Sequence, residues 1–103
     1  MDPKEAKGPP LDITGRDPAA IGRRLWLTRQ VFGLKQIEFS KRANVANTAY
    51  NQFEKGVQKP SMESAMALCD AYHLTLGWIY RGDLRGLRHE TAVAILALSQ
   101  GTA

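Results

Sequence analysis

Apolar side chains recur at helical spacing soon after the start of the sequence, and a helix-start signal precedes them. Asp17 and Pro18 form that signal, because aspartate is favoured at the N-cap and proline at the first helical position. The residues that follow on one helical face are Ile21, Leu25, Thr28 and Phe32. Gly33 comes next, and glycine commonly ends a helix. The pattern predicts a first helix over residues 18–32.

Two short amphipathic stretches come after this first helix. Phe39 and Ala43 lie one helical turn apart and place a second helix over residues 36–43. Asn44 follows, where a left-handed residue is plausible because asparagine tolerates positive φ better than most residues. A third helix is expected over residues 46–55. Its inward stripe is Tyr50, Phe53 and Val57, and its outer stripe is Thr48, Asn51, Gln52 and Lys55. The pattern is therefore two short helices joined by a tight turn.

The residues on either side of this helix pair include further predicted helices and one stretch with no helix signal. Ser61 is expected to cap a fourth helix, and Thr75 a short fifth helix that ends at Gly82. Residues 87–99 are mostly apolar and indicate one more helix at the end of the chain. Residues 1–17 contain proline and glycine without an apolar period, so we expect a flexible arm. With no strand-like alternation, the predicted fold class is all-α.

Length and charge narrow the class of protein. The chain has 103 residues, 44% of them apolar and 23% charged, which fits one small globular domain. The net charge is +4 at pH 7, but it is unevenly placed. Residues 18–60 hold eight Lys/Arg against two acidic residues, whereas residues 1–17 and 61–103 each hold three against four. A basic middle between near-neutral flanks indicates either a polyanion-binding surface, nucleic acid first, or an ordinary solvated face.

The expected compartment is the cytoplasm, with no membrane partner. Cys69 is the single cysteine, so an internal disulfide is excluded and a reducing compartment fits. The longest apolar run, residues 92–98, has seven residues, and a helix needs about 20 to cross a bilayer. The N-terminal residues lack the apolar stretch of a secretory signal peptide.

The third predicted helix carries side chains that suit neither a core nor a typical solvated face. They are the amides and hydroxyl of Asn47, Thr48, Asn51 and Gln52. The major groove of B-DNA, about 12 Å wide, accepts one α-helix, where Asn and Gln can pair with adenine and Thr can contact a thymine methyl group. We therefore expect these four residues to contact bases. Flanking lysines, Lys35, Lys55 and Lys59, are expected to neutralise phosphates.

At this point the stretch "GLKQIEFSKRANVANTAYNQFEKGVQKPS" resembles the phage-repressor-like (Cro/CI, Xre-type) helix-turn-helix family. The resemblance covers residues 18–82 and includes Glu54-Lys55-Gly56 and Lys59-Pro60-Ser61. It implies a five-helix, lambda-repressor-like DNA-binding domain there, with residues 83–103 as an extension that adds a possible dimerisation helix. It also implies that Gln36 contacts phosphate and that Arg29 and Glu54 form a structural ion pair.

The sequence departs from this family's pattern at several positions. Ser40 stands where the family favours alanine, and Asn44 where it favours glycine. Lys35 and Ala46 stand where Ser or Thr caps are usual, and such a cap contributes about 0.5–2 kcal/mol. Tyr50 replaces a branched aliphatic residue, so its hydroxyl needs a partner if the ring is buried.

Other chemically interesting residues have simpler interpretations. Arg23 and Arg24 are expected on a solvated face, although they could reach a phosphate. Core or half-exposed dimer positions are expected for Trp26, Trp78 and Tyr80, and an inert core position for Cys69. His73 and His89 lack ligand neighbours at metal-binding spacing, and no nucleophile or acid–base pair stands out. We expect no metal, no cofactor and no enzymatic activity.

Taken with the resemblance, these features predict a regulator that binds a specific duplex DNA site as a homodimer and represses transcription. Two recognition helices would enter successive major grooves about 34 Å apart on a pseudo-palindrome. The apolar C-terminal stretch either docks on its own domain or pairs with a second copy, and the expected dimer contacts are Val93, Ile95 and Leu96. Two alternatives remain: an antitoxin that binds a toxin and autoregulates its promoter, and a non-specific nucleic-acid binder.

Overall fold

Six α-helices make up most of residues 11–101, the part of the chain that the computed structural model describes. The helices are α1 (Pro18–Phe32), α2 (Gln36–Arg42), α3 (Asn47–Glu54), α4 (Met62–Tyr72), α5 (Leu76–Arg81) and α6 (His89–Ser99). No strand occurs within residues 11–101, so the all-α prediction is confirmed. The first helix has the predicted bounds. The second and third are shorter by one or two residues, and α6 starts two residues later than expected. No helix in this part of the chain is long and apolar enough to span a bilayer.

Local signals end and start the helices where the sequence predicts. Gly33 (φ 67°), Asn44 (φ 58°) and Gly82 (φ 74°) are left-handed, as their positions after α1, α2 and α5 require. The hydroxyls of Ser61 and Thr75 each accept the backbone N–H of the residue three positions later, at 3.1 and 3.0 Å. These two capping predictions are confirmed, and each cap satisfies a backbone donor at the start of α4 or α5. Asp17 stands at the N-cap of α1 as predicted, but its side chain accepts no capping hydrogen bond.

A single main core joins all six helices. Its fully or nearly buried members are Ile21, Leu25, Phe39, Ala43, Val45, Tyr50, Phe53, Ala65, Leu68, Tyr72, Leu74, Trp78, Ile79 and Ile95. The rings of Phe39 and Tyr72 stack with centroids 4.1 Å apart, and the Tyr72 hydroxyl donates to the Phe39 carbonyl at 2.6 Å. The Tyr50 hydroxyl donates to the carbonyl of Leu25 at 3.4 Å. Burial, aided by the charge of Glu54, raises the pKa of Tyr50 and keeps this donor protonated.

One residue of the inward stripe predicted for the third helix lies outside the core. Val57 was expected to continue the inward stripe of α3, but its side chain is 67% exposed, so that prediction is wrong. The physical reason is Gly56, which adopts φ 75° and turns the chain away after α3 ends.

The sequence prediction is also wrong for Arg24, whose side chain is 0% exposed rather than solvated. Its guanidinium donates to four backbone carbonyl oxygens. These belong to Trp78 (2.9 Å), Ile79 (2.9 Å), Ile13 (3.0 Å) and Gly15 (2.8 Å). Burial lowers the pKa of Arg24, and no carboxylate lies within ion-pair distance of it among the described residues. Backbone carbonyl dipoles make the direct contacts that compensate this buried charge, and the charges of Asp17 and Asp12 add to them at longer range.

The segment before α1, which was expected from the sequence as part of a flexible arm over residues 1–17, contacts the domain at several points. Arg24 holds the carbonyls of Ile13 and Gly15 within this N-terminal segment. The Leu11 N–H donates to the carbonyl of Ser99 at 2.6 Å, which joins the segment to α6. Residues 1–10 of the predicted arm lie outside the described residues. The N-terminal segment and α6 thus form one layer on α1.

The last helix docks on its own chain through one face. Thr91, Ile95 and Ser99 are buried, and Ile95 is 0% exposed within the main core. Its side chain is therefore not available to a second copy, which corrects its assignment as a dimer contact. The other two predicted contacts face outward, with Val93 51% and Leu96 37% exposed.

Candidate nucleic-acid interface

A helix–turn–helix unit is built by α2 and α3. The backbone N–H groups of Asn44 and Val45 donate to the carbonyls of Lys41 and Ser40, at 3.0 and 2.9 Å. Val45 is buried and anchors the turn in the core, and Ser40 is 1% exposed where the two helices meet. The small Ser40 side chain fits this close crossing.

The two faces of α3 differ sharply in exposure. Tyr50 and Phe53 are 0% and 2% exposed and fix the helix against the core. The opposite face places Asn47 and Thr48 in solvent and leaves Asn51 and Gln52 half-buried. Within residues 11–101, no hydrogen bond engages the side chains of Thr48, Asn51 or Gln52. This face therefore presents free amide and hydroxyl groups on a rigid helix.

Asn47 differs from the other three residues of that face. The Ser40 hydroxyl lies 3.3 Å from Asn47 Oδ1 and 3.3 Å from the carbonyl oxygen of Ile37, so it can donate to either of them. The amide oxygen of Asn47 is thereby directed towards α2, while its NH₂ group stays free. Ala46 stands at the N-cap of α3 without a side-chain cap.

Glu54 brings α1, α2 and α3 together at one point. Arg29 Nε donates to Glu54 Oε2 at 2.7 Å and Arg29 Nη2 to Oε1 at 3.0 Å, and Gln36 Nε2 donates to Oε1 at 3.0 Å. The Arg29 and Glu54 side chains are only 13% and 6% exposed. Burial alone would lower the pKa of Arg29, but the hydrogen bond and charge of Glu54 outweigh it and raise that pKa. Arg29 Nη1 also donates to the Leu34 carbonyl at 3.0 Å, which ties down the turn before α2.

A cleft of about 320 Å³ opens beside this ion pair, between α1 and α3, and we call it the α1–α3 cleft. Its lining residues are Leu11, Gly22, Arg23, Trp26, Gln36, Asn51, Glu54 and Lys55. Gly22 permits the close approach of the two helices, since a Cβ there would lie 2.6 Å from the Phe53 carbonyl oxygen. Sequence reasoning missed Gly22, although a glycine inside a helical pattern often has such a packing reason.

Comparison with known proteins agrees with this geometry. A helix-turn-helix family model matches residues 27–79, just over half of the chain. The chain belongs to the phage-repressor-like (Cro/CI, Xre-type) helix-turn-helix family. The solution structure of the DNA-binding domain of the P22 C2 repressor (residues 1–76) is similar, with a TM-score of 0.56 and 27% identity. That match covers 61% of this chain and 83% of the P22 domain. Comparison with curated protein sequences gave no significant match.

The lysines of this helix-turn-helix protein are free at the edges of α3. Lys35, Lys55 and Lys59 are exposed, and none forms an ion pair within the described residues. The backbone N–H of Lys35 donates to Glu38 Oε1 at 3.0 Å, so Glu38 compensates in part for the missing Ser or Thr cap.

The remaining reactive groups of this helix-turn-helix protein are scattered. Among the described residues, no group of three or more His, Cys, Asp or Glu side chains could hold a metal ion. Cys69 is half-buried against the core, and burial raises the pKa of its thiol. Trp26 and Trp78 are 8% and 0% exposed, so both lie in the interior rather than in a ligand patch. The Tyr80 hydroxyl donates to the carbonyl of Pro60 at 2.8 Å.

Proposed function

We propose that this helix-turn-helix protein is a transcriptional regulator that binds a specific site in duplex DNA through α3. The observation that carries the proposal is the free polar face of a short helix whose other face is locked in the core. A rigid helix that presents unengaged amides can enter the major groove without first breaking internal hydrogen bonds. Lambda-repressor-like geometry supports this role for α3.

Base reading is assigned to the four polar residues of α3. Within the described residues, Asn51 and Gln52 have both the oxygen and the NH₂ group of their amides free. Each can therefore accept a hydrogen bond from the N6 amino group of adenine and donate one to its N7. Thr48 can contact a thymine methyl group or donate to a base edge. Asn47 offers only its NH₂ group, because its oxygen faces Ser40. Each paired contact contributes about 1–3 kcal/mol of discrimination against the wrong base.

Cationic and amide groups around α3 are proposed to contact the DNA backbone and so to position α3 along the duplex. Lys35, Lys55 and Lys59 would neutralise phosphates without reading sequence. Gln36 has a double role in this proposal, since one hydrogen of Nε2 braces Glu54 and the other remains for a phosphate oxygen. The affinity that these phosphate contacts contribute would fall as the salt concentration rises.

The functional unit is proposed to be a cytoplasmic homodimer that represses by covering a pseudo-palindromic operator. Residues 18–82 would form the DNA-binding unit and residues 83–103 the extension that pairs. Val93 and Leu96 support this assignment, because they are exposed apolar side chains on a helix that is otherwise docked. Leu96→Glu should convert dimer to monomer in sedimentation and weaken operator binding steeply. An unchanged mass would reject α6 as the dimer contact.

Binding selection from a random duplex library tests the proposal. We expect one inverted repeat to emerge, bound at least about 10³-fold better than scrambled DNA. Its half-site spacing would report the distance between the two recognition helices. If no motif emerges and affinity follows salt alone, specific binding is rejected, and a protein partner such as a toxin becomes the next candidate.

A further inference from the structure

Arg23 lies in the α1–α3 cleft rather than on a plain solvated face. The same cleft is lined by Gln36 and Lys55, two residues that the proposed function already assigns to the DNA backbone. Arg23 is half-buried, and Trp26, 8% exposed, lies beside it in the wall of the cleft. The cleft thus brings a third polar, phosphate-capable side chain to the edge of the recognition surface.

The N-terminal segment orients the Arg23 guanidinium. Arg23 Nε donates to the carbonyl oxygen of Asp12 at 3.2 Å. No other hydrogen bond and no ion pair engages this guanidinium within residues 11–101. The two terminal nitrogens therefore remain as paired donors in the plane of the guanidinium, a geometry that suits a phosphate.

No neighbouring acid forms an ion pair with Arg23 within residues 11–101. Both oxygens of Glu54 are taken by Arg29 and Gln36. The carboxylate of Asp12 accepts the side chain and the backbone N–H of Thr14, at 2.6 and 2.9 Å. These hydrogen bonds are the main cause of its lowered pKa, and the charge of Arg23 adds a smaller contribution. The cleft therefore carries unpaired positive charge from Arg23 and Lys55.

We propose that Arg23 is a DNA-backbone contact: its guanidinium, held by the Asp12 carbonyl, binds a phosphodiester that lies in the α1–α3 cleft between Gln36 and Lys55. This inference rests on the proposed function and adds to it a residue of α1. It also gives the N-terminal segment a part in DNA binding. The apolar walls of Leu11 and Trp26 exclude water from one side of the ion pair and strengthen it.

Titration of the selected operator and of scrambled duplex, from 50 to 200 mM salt, tests this contact. Arg23→Ala should weaken binding to both duplexes alike, by about tenfold at 50 mM and about threefold at 200 mM salt. The slope of log affinity against log salt should become shallower by about one. Arg88→Ala removes the same charge from an exposed arginine outside the cleft, and it should change affinity less than twofold. Arg23→Lys should keep the salt slope but recover only part of the affinity, because lysine lacks the fork.

A second measurement, by NMR, uses the wild-type full chain and so does not require that any variant folds. The Nε–Hε resonance of Arg23 should shift on addition of duplex, while that of Arg88 stays in place. Inorganic phosphate at the same concentration should leave both unmoved.

The outcomes separate this inference from the proposed function. If wild-type protein binds DNA but Arg23→Ala behaves like Arg88→Ala, the inference is overturned and the proposed function stands. If inorganic phosphate shifts the Arg23 resonance and duplex does not, the cleft is a free-phosphate site and the inference is again overturned. If the wild-type chain binds no duplex at all, both proposals fail together.

Discussion

Two arginines of α1, Arg24 and Arg29, are both withdrawn from solvent but are satisfied by different chemistry. Arg29 faces a carboxylate, Glu54, and shares it with Gln36. Within residues 11–101, Arg24 has no acid at ion-pair distance and donates only to backbone carbonyls in the N-terminal segment and α5. The first arrangement locks the helices that carry the proposed DNA contacts. The second arrangement joins α1 to the N-terminal segment and to α5. Any residue can supply its acceptors, because every residue has a backbone carbonyl group.

This difference predicts that the two arginines can be separated experimentally. Removing Arg24 should affect stability and leave the base preference of the folded protein intact. Breaking the Arg29–Glu54 pair should affect both, because Glu54 is the last residue of α3. Removing a base reader should affect recognition alone.

The largest loss of stability is expected from Arg24→Met. The substitution keeps most of the side-chain volume but leaves the four carbonyls of Ile13, Gly15, Trp78 and Ile79 without this donor in a buried site. We expect the free energy of unfolding to fall by about 3–5 kcal/mol, measured by urea denaturation. Arg88→Met at an exposed position is the control, with an expected change within about 0.5 kcal/mol. Equal effects of the two substitutions would show that the buried network contributes nothing.

A somewhat smaller loss is expected from Glu54→Ala. It leaves the Arg29 charge unpaired, but Arg29 is 13% exposed and can regain some water. The expected loss is about 2–3 kcal/mol, and DNA affinity should fall as α3 loses its brace. A double-mutant cycle with Arg29→Met should give a coupling energy above about 1 kcal/mol. Glu63→Ala removes an exposed acid and serves as the control. Purely additive single and double variants would argue against the pair as a structural brace.

Gln52→Ala should leave stability nearly unchanged and alter recognition. Its side chain makes no hydrogen bond to another residue within 11–101, so its loss costs the fold little. At one base position of the operator, discrimination should drop by about 1–3 kcal/mol, read by binding to single-base operator variants. Gln100→Ala, on an exposed residue after α6, is the matched control. A uniform loss over all sequences would instead assign Gln52 to backbone contact.

Sequence reasoning succeeded where partners are close in the chain or belong to a repeating pattern. Ser61 and Thr75 cap their helices because the acceptor and donor lie three residues apart, a spacing visible in the sequence. Asn44 takes the left-handed turn for a reason intrinsic to asparagine. The inward stripe of α3 followed from helical periodicity, and Val57 failed only because Gly56 ends that periodicity.

Sequence reasoning failed where the hydrogen-bond partner of a side chain is a backbone group that is distant in the chain. Arg24 stands three residues after Ile21 and four before Thr28, a spacing that fits the inward face of α1. The solvated-face prediction was wrong because the carbonyls of Trp78 and Ile79, which accept from its guanidinium, are distant in the sequence. The Thr28 hydroxyl, which donates to the Arg24 carbonyl at 2.7 Å and accepts from Trp78 Nε1 at 2.9 Å, completes a network invisible to pattern analysis. The contacts of residues 11–17 with α1 and α6 were missed for the same reason.

The smallest effect on stability is expected at the exposed pair of Arg85 and Asp83, which contrasts with both buried arginines. Arg85 donates to Asp83 through Nε, Nη2 and the backbone N–H, each at 2.9 Å, but its side chain is 91% exposed. The side-chain hydrogen bond is the main cause that lowers the pKa of Asp83 to about 2. Because this folded-state pKa lies below the unfolded value, the stabilisation is present above about pH 4 and is lost as pH falls through about 2.

Arg85→Ala should therefore raise the pKa of Asp83 towards its ordinary value, measured by NMR titration of its carboxyl carbon. The shift should be incomplete, because the backbone N–H of residue 85 remains as a donor. Denaturation curves at pH 7 should show only a slight loss of stability relative to the wild type, since solvent screens an exposed pair. The surroundings of an arginine, and not the number of its hydrogen bonds, should determine what it contributes to the stability of the fold. A clear loss of stability at pH 7 on removal of Arg85 would contradict this.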